Sequence, residues 1–176
     1  MKALKWLLGI VAALALVVVG GGLLISPKFH IERSVQVQAA PDKAYALVVA
    51  PRRWKDWTIW NQRDPAMKVS YFGADAGAGS GWSWESATEG SGKMTLTAAE
   101  PAQRIAYDLY FPDFGTTSTG EIRFEAQAGG TRVTWTMDGD MGANPVWRWM
   151  ALFMGDLAGK DFDAGLSRLK TLAESA

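Results

Sequence analysis

The chain of 176 residues has no cysteine and a single histidine, and its 18 basic side chains are matched by 18 acidic ones. The missing cysteine excludes disulfides, thiol nucleophiles and zinc or iron–sulfur centres built on thiolates, and leaves the redox compartment open. One histidine excludes multi-histidine metal centres; no metal or other cofactor is expected. The lack of a basic surplus argues against sequence-independent nucleic-acid binding, which needs cations to displace counterions, so no nucleic-acid partner is expected. Against these absences stand nine tryptophans, more than a core of this size needs. The length fits one globular domain once an anchor is subtracted.

Trp6 to Ile25 is an uncharged run of 20 residues, WLLGIVAALALVVVGGGLLI. At about 1.5 Å per residue it spans a hydrocarbon core of roughly 30 Å. Lys2 and Lys5 precede it; Ser26, Pro27 and Lys28 close it. The competing reading is a secretory signal peptide. The run exceeds the usual apolar region of roughly 7–15 residues and no A-x-A pattern follows, although Gly20–Gly22 offers a poor small-residue cleavage site. The expectation is an uncleaved anchor and short tether over residues 1–29, ahead of one domain over residues 30–176. The positive-inside rule puts Lys2 and Lys5 in the cytoplasm and the domain on the outer (periplasmic or extracellular) side, with Lys28 and Arg33 weakening that bias. Gly9 and Ala13, four apart, offer a face for a homodimer through the anchor. Removing Lys2 and Lys5 leaves 16 basic against 18 acidic residues, with no polybasic stripe, so attachment to the membrane falls to residues 6–25.

Residues 30–38 alternate as an amphipathic strand, with Ile31, Arg33, Val35 and Val37 on one face. Pro41-Asp42 opens a helix whose buried stripe is Ala44, Leu47 and Val48, and Pro51 ends it. RRWKDWTIW then places Trp54, Trp57 and Trp60 at a spacing of three, on one side of a helical turn. Period-two strands follow at 67–72, 81–87, 93–99, 104–111, 119–126 and 132–138, separated by glycine turns. Pro145 starts a helix predicted to run unbroken to about Glu174, its first half apolar on more than one face. The order is α+β: an N-terminal transmembrane helix, then a curved antiparallel β-sheet wrapped around a long C-terminal helix, the helix-grip arrangement.

At this point the chain resembles a known family. The segment ERSVQVQAAPDKAYALV, the tryptophan segment from Trp54 to Asn61 with Asp64-Pro65, GAGSGWSWES, TRVTWTMDG and GKDFDAGLSRLK occur in the order and spacing of the SRPBCC superfamily (START-related and birch-pollen-allergen-like proteins). They are similar to its polyketide cyclase/dehydrase and lipid-transport branch, over roughly residues 32–174. The resemblance implies a helix-grip fold around a hydrophobic pocket and names no reaction.

Catalytic and metal motifs fail on inspection. His30 has no serine elbow to serve. The glycines Gly77, Gly79 and Gly81 precede a strand, whereas a phosphate loop needs a helix. A calcium loop opening at Asp138-Gly139-Asp140 would need its bidentate glutamate where Trp149 stands. Glu85, Asp108 and Glu121 fall opposite the apolar rows of their strands, on the wet face, and give acid–base catalysis no support.

Two aromatic sets remain. The candidate ligand wall is Trp57, Trp60, Trp82, Trp84, Tyr107, Leu109, Phe111, Phe124, Trp135 and Met137, faced by Met150 and Met154; its alternative is ordinary core. The candidate membrane contacts are Trp54, Trp147, Trp149 and Phe153, since tryptophan suits the lipid–water boundary; their alternative is capping of the core or contact with a partner chain. The expected function is non-catalytic, membrane-anchored binding of a hydrophobic small molecule, a lipid or aromatic compound, between sheet and C-terminal helix. Two rivals stay open: a cyclase or dehydratase using the same cavity, and a cell-envelope interaction module with a filled core.

Overall fold

Residues 2–112 and 115–176 are described by the structure, a computed structural model. The apolar run forms helix α1 (Lys2–Leu24), long and apolar enough to cross a membrane and almost unburied along its length. Three residues separate the end of α1 from strand β1 (Lys28–Val37). Lys28 and Phe29 therefore belong to the sheet, two residues ahead of the expected domain boundary. Pro41, with its φ preset, starts α2 (Pro41–Val48), and a tight turn at Pro51–Arg53 leads into two single-turn helices, α3 (Trp54–Trp57) and α4 (Trp60–Arg63).

Six strands follow: β2 (Lys68–Phe72), β3 (Gly81–Ser86), β4 (Gly90–Glu100), β5 (Arg104–Phe111), β6 (Thr116–Gln127) and β7 (Gly130–Asp140). They form one antiparallel meander, and β1 returns to pair with β7, giving the order β1-β7-β6-β5-β4-β3-β2. Alternation sets the two faces, as strand geometry requires. Val133, Trp135 and Met137 of β7 point inward, as do Ile122 and Phe124 of β6 and Ile105, Tyr107 and Leu109 of β5. Glu85 and Asp108 are exposed. Glu121 is paired on the outer face with Arg104 and Arg123.

The predicted single C-terminal helix is two. Helix α5 (Pro145–Ala151) is capped by the Asn144 side chain, which accepts from the Val146 amide at 2.9 Å. Helix α6 (Met154–Glu174) follows a tight turn in which the Leu152 and Phe153 amides reach back only three residues, to Trp149 and Met150. No proline forces this break. The cause is tertiary: α6 lies across the sheet, whereas α5 packs on the end of α1. The core lies between the sheet and α6, where Trp135 stacks on Phe162 with ring centroids 3.8 Å apart and planes 7° from parallel.

Candidate functional site

The sheet curves away from α6 toward one end and leaves a cavity of about 310 Å³. Its sheet wall is Trp82 and Trp84 of β3, Met94 of β4, Tyr107, Leu109 and Phe111 of β5, Ser118 of β6, and Trp135 and Met137 of β7. Met150 of α5 and Met154 and Phe162 of α6 face it, and Trp54 and Trp60 close its end. Ten residues of the expected ligand wall therefore border the space: Trp60, Trp82, Trp84, Tyr107, Leu109, Phe111, Trp135, Met137, Met150 and Met154.

Three expected positions are corrected. Trp57 is fully buried between Trp54 and Trp135, at 4.7 and 5.2 Å between centroids, and its indole N–H donates to Leu47 O at 3.0 Å, so it is core and not cavity wall. Phe124 is also core, packed edge-on against Tyr45 at 5.7 Å. Trp54, expected at the membrane surface, is only 2% exposed: its indole donates to Val48 O at 2.8 Å and its ring abuts Trp82 at 5.0 Å, which places it on the cavity's inner wall. Trp147 is exposed as expected, yet also borders the cavity mouth. The two remaining positions of the membrane-contact set differ in surroundings: Phe153 is exposed, and Trp149 is half-buried against α1.

The fully buried side-chain polar atoms of the wall are already engaged. The Trp135 indole N–H donates to the Tyr107 hydroxyl at 2.7 Å, which in turn donates to Thr136 O at 3.3 Å. Burial drives the Tyr107 phenol far above its ordinary range, so it stays neutral. Among the described residues no buried side-chain nitrogen or oxygen lacks a partner. Charges along the lining are exposed, as at Lys55 and Asp140, or gathered in one cluster. There the Arg63 guanidinium grips Asp161 at 2.7 and 2.8 Å and Glu89 at 2.9 Å, and the Trp60 indole donates to Asp161 at 3.0 Å. Both carboxylates hold Arg63 further into its cationic form, against partial desolvation.

Sequence reasoning did not single out this cluster, because its three charges come from distant segments with no shared motif. Met94 was legible as an inward residue of its strand. Its place on the cavity depended on how far the sheet curves.

The chain belongs to the family described as polyketide cyclase / dehydrase and lipid transport, whose model matches residues 28–174. Among solved structures it is similar to protein CV1439 from Chromobacterium violaceum, at 18% identity over 82% of this chain and 96% of that one, with a TM-score of 0.57. It is also similar to the di-domain aromatase/cyclase BexL of the BE-7585A biosynthetic pathway, at 18% identity and a TM-score of 0.60 over 85% of this chain, which spans 51% of that protein's length. Ara h 8.0201 aligns at 14% identity over 85% of this chain and 99% of that one, with a TM-score of 0.57. No curated protein matches by sequence. These likenesses establish the helix-grip fold.

Proposed function

We propose that the chain is a membrane-anchored binding protein for a hydrophobic small molecule, a lipid or aromatic compound, taken up between the sheet and α6. One observation carries this reading: a cavity walled by tryptophan and methionine in which the buried polar atoms are already paired. A guest there gains by leaving water, at roughly 25 cal/mol per Å² of apolar area. Methionines opposite a rigid aromatic wall adapt to guests of differing shape. Helix α1 supplies the anchor, and the positive-inside rule puts the domain on the outer side. A cyclase or dehydratase reading draws on the named activities of relatives such as BexL. Against it, the Tyr107 hydroxyl is buried, neutral and bonded on both sides.

The test is native mass spectrometry of residues 27–176 purified without detergent, with organic extraction of whatever is bound. A reproducible apolar adduct that is lost on Trp84→Ala is the expected result. A bare mass joined to failure to take up a hydrophobic dye overturns the reading in favour of a packed interaction module.

A further inference from the structure

The C-terminal turns of α1 are occupied. Gly22 is buried against Pro145 so closely that any Cβ would collide with the proline carbonyl, and a Cβ on Gly21 would stand 2.7 Å from the Trp149 ring. Arg148 donates to Leu23 O at 3.3 Å, and the Trp149 indole donates to Val18 O at 2.9 Å. The contacts of α5 thus step along the anchor from Leu23 back to Val18. At 1.5 Å per residue, Val18 lies about 9 Å inside the end of the helix. The apolar run from Trp6 to Ile25 is only long enough to fill the hydrocarbon layer of roughly 30 Å. A bilayer that holds α1 therefore reaches Trp149 as well.

The segment itself suits that position. Val146, Leu152, Phe153 and Leu157 are each at least half exposed. From Pro145 to Gly155 the sole charge is Arg148, whose guanidinium turns to the Leu23 carbonyl at the anchor's end and to the Gly142 carbonyl in the loop before α5, as a snorkelling side chain does. At about 100° per residue, Trp147 and Met150 lie opposite Pro145, Arg148 and Trp149 on α5. One face of α5 thus meets the anchor while the other borders the cavity.

We propose that α5 and the Leu152–Phe153 turn are inserted into the acyl layer at the C-terminal end of α1, with bilayer lipid as the partner of their exposed apolar face. The cavity's outer wall is then a single helix standing in lipid. Continuity with the span favours lipid over a second protein. The inference rests on α1 remaining in place as an anchor.

The absence of cysteine makes the test direct. Single nitroxide labels go on Leu152→Cys and Phe153→Cys in the full chain, reconstituted in phosphatidylcholine/phosphatidylglycerol vesicles. Val17→Cys serves as the reference within the anchor and Glu125→Cys as the reference on the outer sheet face. Power saturation compares collision with oxygen against a water-soluble nickel chelate. The labels at 152 and 153 should follow Val17, with oxygen contact several-fold above nickel, and Glu125 should show the reverse. Gly22→Leu should shift 152 and 153 toward nickel while Val17 stays in lipid. Labels at 152 and 153 open to nickel, or shielded from both agents as a protein partner would shield them, overturn the proposal. No shift on Gly22→Leu overturns the glycine notch as what holds α5 there. If Val17 itself meets nickel, the anchor reading fails and takes this one with it. None of these readings needs a guest, so they stand apart from the outcome at the cavity.

Discussion

Tyr107 concentrates the chemistry of the interior in one hydroxyl, which accepts from the Trp135 indole and donates to Thr136 O. Tyr107→Phe leaves that indole N–H buried and unpaired, a loss of about 1–3 kcal/mol in urea unfolding. The same phenol predicts an alkaline limit. Its folded pKa is raised by burial above the ordinary value of 10.0, so the unfolded chain ionises first. Its contribution to stability is whole below pH 10 and shrinks as pH rises above it. The fall in stability above pH 10 should therefore be shallower in Tyr107→Phe than in the native chain. The three tryptophans at positions 54, 57 and 60 show where residue-scale reading stops. Their spacing put them on one side of a turn, yet Trp57 enters the core, Trp54 the cavity wall, and Trp60 bonds to Asp161. Which ring goes deepest is decided by Leu47 O and Val48 O on α2, acceptors that spacing does not reveal.

Strands were the elements most legible in advance. Period-two alternation is written locally, and β7 buries the residues its pattern assigns to the inside, as β5 does for Ile105, Tyr107 and Leu109, with Phe111 partly buried. The inner row does not contribute evenly. Trp135 is buried among Trp57, Trp54 and Phe162, so Trp135→Ala should cost about 3–5 kcal/mol. Trp84 is half-buried on the cavity wall beside Phe111, so Trp84→Ala should cost clearly less stability while weakening uptake of a hydrophobic dye. Chemical denaturation and dye titration of the two variants separate a core ring from a wall ring. The C-terminal helix was less legible. Its apolar periodicity runs through residues 152 and 153, where the helix turns because its two halves pack on different partners.

At the scale of the whole molecule, the Arg63 cluster ties three distant pieces together: α4, the turn between β3 and β4, and α6. It closes one end of the cavity. The Arg63 side chain is 41% exposed, so solvent screening limits its worth, and Arg63→Ala should lower stability by only about 1 kcal/mol. Its larger effect belongs to access. Dye release from Arg63→Ala should be several-fold faster at unchanged fold, read by stopped-flow fluorescence. Equal rates would show that the cluster does not govern that end.

The sequence by itself determined what depends on neighbours along the chain. Alternation set the strands, proline set the helix starts, and twenty consecutive uncharged residues set a helix long enough to cross a membrane. The matching family pattern carried the helix-grip fold with them. Only the tertiary structure decided what depends on distant groups meeting: the break between α5 and α6, the depth of each tryptophan, the Arg63 cluster, and the seating of Trp149 and Pro145 on Gly21 and Gly22. The cavity belongs to that second kind. Its volume is what remains when a curved sheet and a helix pack imperfectly, and a gap of that sort is recorded in no single segment.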